Sequence, residues 1–180
     1  MRMQICYNAI MEISLEQLLA ARDARAAYIK TLQKRYPGAC VAVLTVIAPG
    51  SVKRSPDTIR LFSAGIQAIG RVLMRYELVP LVFEAHEKDT GDEAYLVIKT
   101  EPGFLKMELC KLEESAPYGR LWDMDVVKPN GEHISREDIG FLPRGCFVCG
   151  RTRRDCYSRR LHTTKEVLSA VERLMQTLPG

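Results

Sequence analysis

No stretch of this sequence reaches the ~20 consecutive apolar residues that cross a bilayer: the longest run, Ala39 to Pro49, is interrupted by Thr45 and ends at a Pro-Gly turn. The first residues, Met1 to Cys6, lack the apolar core of a secretory signal, so a reducing cytoplasm is the default expectation. Internal repeats, low-complexity tracts and linkers are also absent, which leaves the 180 residues to build one domain. Neither sign of charge is in large excess, the formal net charge being +4. With 47% hydrophobic and 27% charged residues the composition is that of an ordinary globular protein, and it excludes a disordered chain, a collagen and a heptad rod.

Cysteine is plentiful. Without an oxidising compartment, the six cysteines are free thiols or metal ligands rather than a disulfide framework. Cys6, Cys40 and Cys110 are scattered, and the last two lie in apolar runs as small core residues do. Cys146, Cys149 and Cys156 cluster in a segment, Arg144 to Arg160, that carries six arginines against the single Asp155.

Ser14 with Gln17 three positions on forms a capping box, and Leu15, Leu18, Leu19, Ala26, Ile29 and Leu32 then recur at helical spacing, predicting a helix over Leu15 to Arg35. Cys40 to Ile47 is valine-rich and bounded by glycine and proline, as a buried strand would be. Ser55-Pro56-Asp57 opens a second helix, whose apolar positions from Ile59 to Leu73 carry it to about Tyr76. Leu78 to Ala85, Ala94 to Lys99 and Phe104 to Leu112 read as strands, the last two joined as a hairpin across Thr100 to Gly103. Arg120 to Val127 and Glu132 to Ser135 form another hairpin around Lys128-Pro129-Asn130-Gly131. Thr163 with Glu166 caps a final helix, and the tail from Pro179 is free. The expected fold is α+β: a mostly antiparallel sheet packed with two N-terminal helices, a basic cysteine-bearing loop and a C-terminal helix.

Four constellations could carry chemistry. Within Gly119-Arg120-Leu121-Trp122-Asp123-Met124-Asp125-Val126, strand alternation puts Asp123 and Asp125 on one face and Trp122, Met124 and Val126 on the other. Two adjacent carboxylates repel unless a cation compensates, and Mg²⁺, held by one or two carboxylates and substrate phosphates, is a common answer. The alternative is the solvated face of an amphipathic strand. Second, Cys146, Cys149, Cys156 and His162 follow C-x2-C-x6-C-x5-H, a complete donor set for a tetrahedral structural Zn²⁺; against it stand plain buried thiols and a histidine at a helix start. Third, the arginine cluster suits a phosphorylated small molecule, nucleic acid, an acidic protein or merely solvent. Little aromatic interleaving and a modest total charge argue against nucleic acid. Fourth, the strand-to-helix loop Pro49-Gly50-Ser51-Val52-Lys53 exposes N–H groups that can hold a phosphate, with Lys53 adding charge, but lacks the P-loop pattern.

Taken together, the Leu15 to Arg25 helix, Ala48-Pro49-Gly50 with Lys53, the Gly-Arg-Leu-Trp-Asp-x-Asp-Val block, Ser135-Arg136, Leu142-Pro143-Arg144 and the Cys/His set resemble the apo-citrate lyase phosphoribosyl-dephospho-CoA transferases. Ser51, Gly145 and Ser158 depart from that pattern. The resemblance implies a single transferase domain over residues 1–180. It implies that the triphosphoribosyl-dephospho-CoA group is transferred to a serine of the apo citrate lyase acyl carrier subunit with release of pyrophosphate, and no nucleic acid or membrane partner. On that reading Asp123 and Asp125 hold Mg²⁺ and one takes the serine proton, Arg120 and Lys53 stabilise phosphate charge, and Gly50, Arg136 and Arg144 join them as phosphate-binding residues. Three alternatives remain: the same chemistry on a malonate decarboxylase-type carrier, a zinc-stabilised nucleic-acid-binding module, and a non-catalytic carrier-binding factor.

Overall fold

The computed structural model describes residues 11–179; Cys6 lies outside them. Helix α1 (Leu15–Arg35) starts where expected, with the Ser14 Oγ accepting from the Gln17 N–H and the Gln17 side chain accepting from the Ser14 N–H. Strand β1 (Cys40–Val46) follows, and α2 (Pro56–Arg75) is capped by Ser55 with proline in its first turn. Then come β2 (Val82–His86), β3 (Glu93–Ile98), α3 (Pro102–Glu114), a 3-10 turn at Pro117–Leu121, β4 (Trp122–Val127), β5 (His133–Ile134), α4 (Arg153–Ser158) and α5 (Thr164–Met175). Among the described residues no helix is long and apolar enough to cross a membrane.

The α+β class holds, and the five strands form one antiparallel sheet in the order β2-β3-β1-β4-β5. One expected strand is wrong. Phe104 to Leu112 is helical, because Pro102 occupies the first turn and the Glu101 carboxylate accepts from the N–H groups of Gly103 and Phe104. Leu105, Leu109 and Leu112 then fall at helical spacing against the core. Smaller differences follow from local chemistry: β2 begins four residues later than expected, and Arg120 and Leu121 belong to the 3-10 turn before β4. The tail is not free at its start, since Leu178 packs on the core and Arg60 donates to the Pro179 carbonyl.

The sheet divides the protein into two layers. On one face α2, α3 and α5 cover Ala42, Leu44, Leu96, Trp122, Met124 and Val126. Trp122 is the anchor there: its indole N–H donates to the Leu61 carbonyl at 2.8 Å and its ring is buried, a burial that contributes roughly 3 kcal/mol. It lies against Gly65, where a Cβ would come within 3.0 Å of the indole nitrogen. Gly119 has a similar constraint, since a Cβ there would sit 2.8 Å from the Leu112 carbonyl oxygen, so the turn leading into β4 can press directly onto the end of α3.

On the opposite face α1 packs mainly over β1 and β3, through Tyr28, Ile29, Leu32 and Tyr36 against Val41, Val43, Tyr95 and Val97, and Tyr28 also meets Glu84 and His86 on β2. The apolar periodicity of α1 implies a buried face along its length, yet Leu32 alone is buried and Leu15 and Leu19 are exposed. Instead, an ion pair ties the helix to the sheet: Arg25 Nε donates to the buried Glu93 carboxylate at 2.9 Å, which Lys88 and the Tyr95 hydroxyl also contact. These three partners outweigh the cost of burial and hold the Glu93 pKa below its usual range. β4 is left open on this side at Asp123 and Asp125, whereas Val127 at its end is buried.

Candidate functional site

β4 is the strand on which the site is built. Its register with β1 pairs Thr45 with Asp123 and Val43 with Asp125, so both carboxylates project from the open face while Trp122, Met124 and Val126 fill the core. The two aspartates are therefore neighbours, as alternation predicts. Asp125 opens to solvent at its tip, yet the surrounding protein removes enough water that burial, and after it the adjacent Asp123 carboxylate, raises its pKa. Lys106, His133 and Arg144 oppose that rise.

The outer edge of β4 shows how those cations arrive. β5 pairs with Val126 and Val127 only, and upstream of them the backbone is closed by side chains. The Met124 N–H donates to the Glu113 carboxylate at 2.8 Å, and the Met124 carbonyl accepts from Lys106 at 2.7 Å. The Trp122 carbonyl accepts from Arg144 at 2.8 Å. Arg144 also contacts Glu113 at 2.5 Å and Asp123 at 3.1 Å, and Lys106 Nζ lies 3.9 Å from Asp125. Each aspartate thus has one cation held against it by the strand's own backbone. Burial pushes the Glu113 carboxyl up, and Arg144, the Met124 N–H, Lys106 and Arg136 pull it back. Lys106 and Glu113 are almost fully buried; Lys106 lies in the segment misread as a strand and Glu113 directly follows it on the same helix, and sequence reasoning missed both.

Two concavities flank the carboxylates. The larger, about 520 Å³, gathers Arg120, Arg136, Arg144 and Arg153 around Phe147. Here Arg120 donates to the Gly145 and Cys146 carbonyls and, with Arg153, contacts the Phe147 ring. Arg136 is engaged by Glu113 and Glu114. The smaller, about 250 Å³, is a groove between α1 and the sheet, with Arg22, Arg25 and Lys30 on its wall and Asp125 in its floor. Arg120, Arg136 and Arg144 therefore meet, but Gly50 and Lys53 line neither concavity. Gly50 adopts a left-handed conformation (φ +87°) facing Leu168, and the Lys53 ammonium donates to the Ala48 carbonyl at 2.6 Å. Burial lowers the Lys53 pKa.

The ligand atoms of Cys146, Cys149, Cys156 and His162 all lie within 4.8 Å of one another. Cys149 Sγ is 3.3 Å from both Cys156 Sγ and His162 Nε2, close to the roughly 3.8 Å between ligands on a tetrahedral zinc. A tight turn makes this convergence, with the Gly150 N–H donating to the Cys146 carbonyl, the Cys146 N–H to the Arg151 carbonyl, and Gly150 left-handed. Burial and the thiols of Cys149 and Cys146 push the Cys156 pKa up, whereas at Cys146 burial is outweighed by hydrogen bonds from the turn, which lower its pKa. The set could hold a metal such as zinc. Cys40 and Cys110, by contrast, are isolated core thiols.

The family model described as apo-citrate lyase phosphoribosyl-dephospho-CoA transferase matches residues 13–178, which takes in β4, both concavities and the Cys/His cluster. The chain belongs to that family. Curated relatives of the same name from Escherichia coli O139:H28 (strain E24377A / ETEC) and Shigella boydii serotype 18 (strain CDC 3083-94 / BS512) are each 34% identical over 163 residues, covering 91% of this chain and 88% of the relative. A probable apo-citrate lyase phosphoribosyl-dephospho-CoA transferase from Escherichia coli (strain K12 / MC4100 / BW2952) is similar to the same extent. For an apo-citrate lyase phosphoribosyl-dephospho-CoA transferase, the site combines a carboxylate pair, fixed countercharges and two cationic concavities. Sequence reasoning found the first and most of the arginines. It missed Lys106 and Glu113, for which the Glu101-Pro102 helix start was the available signal, and Arg22 and Lys30, which look like ordinary solvated helix charges.

Proposed function

We propose that this protein, as a single transferase domain, attaches the phosphoribosyl-dephospho-CoA group to a serine of the apo citrate lyase acyl carrier subunit, using triphosphoribosyl-dephospho-CoA. The serine oxygen bonds to the phosphorus nearest the ribose, the bond from that phosphorus to the β-phosphate oxygen breaks, and pyrophosphate leaves with the electron pair. The serine proton passes to one of the aspartates. The observation that carries this reading is the adjacency of Asp123 and Asp125 on the open face of β4 in a chain of this family.

Two carboxylates on one face are hard oxygen donors of the kind Mg²⁺ takes. Asp123 and Asp125 would hold that ion, which when bound neutralises charge on phosphate oxygens. Arg144 and Lys106 orient the two carboxylates from the strand edge, and Arg120 and Arg136 stand in the adjoining cleft as further anion donors. Intact-mass analysis of apo carrier subunit incubated with the protein, Mg²⁺ and triphosphoribosyl-dephospho-CoA tests the function. The expected result is a mass gain of one phosphoribosyl-dephospho-CoA group and one pyrophosphate released per carrier; a carrier that is bound but unmodified refutes the transfer.

For the Cys/His cluster the reading is a structural zinc, because four protein ligands leave no open position. It would pin a loop whose arginines otherwise have little apolar content to hold them. Metal analysis should find one zinc per chain, and stripping it with a chelator should expose the segment around Arg151 to Arg160 to trypsin. Protein that carries no metal and is cleaved at the same rate before and after chelation would exclude the site.

A further inference from the structure

The groove beside α1 has no role in the function so far. Its floor is Val43, Thr45, Asp125 and Val127 on β1 and β4, and its wall is the α1 face bearing Arg22, Arg25 and Lys30. Of these cations Arg25 is committed to Glu93, whereas neither Arg22 nor Lys30 has an ion-pair partner among the described residues. Of the cations expected from the sequence to meet phosphate, Lys53 is bonded to Ala48, Arg136 to Glu113 and Glu114, and Arg144 to Glu113 and Asp123, while Arg120 lies in the other concavity against the Gly145 and Cys146 carbonyls. Within the groove itself, the charges still available to a ligand beside Asp125 are therefore Arg22 and Lys30 on α1.

The cations on the wall of the groove attract anions, but a carboxylate in its floor repels a bare one. A polyphosphate is the class of anion that arrives with a divalent cation, and that cation can sit between phosphate oxygens and Asp125. Arg22 and Lys30 are eight residues apart, about 12 Å along the helix, farther than a single phosphate reaches. We infer that the triphosphate arm of the substrate lies in this groove, its oxygens bonded by Arg22 and Lys30 on one side and its metal facing Asp125 on the other. The inference rests on the transferase reading for the identity of the ligand, but the binding itself is measurable without turnover.

Calorimetry with inorganic triphosphate and Mg²⁺ on the full chain tests it. The exposed positions on α1 tolerate substitution, so Arg22→Gln/Lys30→Gln is compared with Lys34→Gln/Arg35→Gln, which removes the same charge outside the groove lining. A charge-assisted contact is worth roughly tenfold, so the groove variant should lose between about ten- and a hundredfold in affinity and raise KM for the complete substrate more than it lowers kcat. The control should match wild type. No binding of triphosphate to wild type, or equal losses in the two variants, overturns the assignment. Lost affinity in the groove variant sustains it even if the carrier subunit is never modified, in which case it is the transferase reading that fails.

Discussion

Asp123→Asn/Asp125→Asn should lose carrier modification by about 10³-fold or more while remaining folded, because proton acceptance and metal binding disappear together. The two effects separate cleanly here. Asn keeps the shape of Asp, and it removes a repulsion that, with burial, raises the Asp125 pKa. A group whose folded pKa is raised weakens the fold once pH exceeds its unfolded value, so the neutral variant should be as stable as wild type, or more so, at neutral pH. Arg144 loses one of its contacts but keeps Glu113 and the Trp122 carbonyl. Intact-mass time courses read the activity and thermal denaturation reads the fold. Turnover within tenfold of wild type, with stability unchanged, would remove the aspartates from the chemistry.

Glu113→Ala should be the costly substitution for stability, about 3–5 kcal/mol, although it lies outside the sequence block that identifies the family. One buried carboxylate accepts from the Met124 N–H, Arg144 and Arg136, and its loss orphans a buried backbone donor and takes from each guanidinium its buried countercharge, leaving Arg136 with Glu114 and Arg144 with Asp123 and the Trp122 carbonyl. For a chain of this length that is roughly 6–20 °C in Tm. Activity should fall as well, since Arg144 is no longer fixed beside Asp123. Urea unfolding gives the energy directly. A loss below about 1 kcal/mol would mean that the network relaxes and that the geometry of β4 does not depend on Glu113.

The different fates of these residues show which information is local. Capping boxes at Ser14 and Thr163 and the alternation along Trp122 to Val127 act over three or four neighbours, and those elements appear where the sequence places them. The cysteine and histidine spacing is similarly local, since one tight turn and the six-residue α4 bring the four ligand atoms together. Pro102-Gly103 misled because the pair serves equally well as a hairpin turn or a helix first turn, and Leu105, Leu109 and Leu112 decide in favour of the helix only once a core exists for them. Lys106 and Glu113 were illegible for a further reason. A charged residue is read as solvated, and these two are buried because β5 is only two residues long and leaves backbone groups of β4 to be satisfied from another element. The groove escaped notice because it depends on where α1 stops covering the sheet, which no periodicity records.

That same closed edge of β4 bears on how the protein meets its surroundings. An unpaired strand edge is a template on which another chain can add a strand, by recognition or by aggregation. Here Lys106, Glu113 and Arg144 already occupy the outward N–H and C=O groups at Trp122 and Met124, so an incoming strand would have to break charge-assisted bonds before making its own. The aspartate-bearing strand is thereby kept from self-association. A protein that presents a serine to it must do so from above the sheet face, by fitting a shape, and not by extending the sheet.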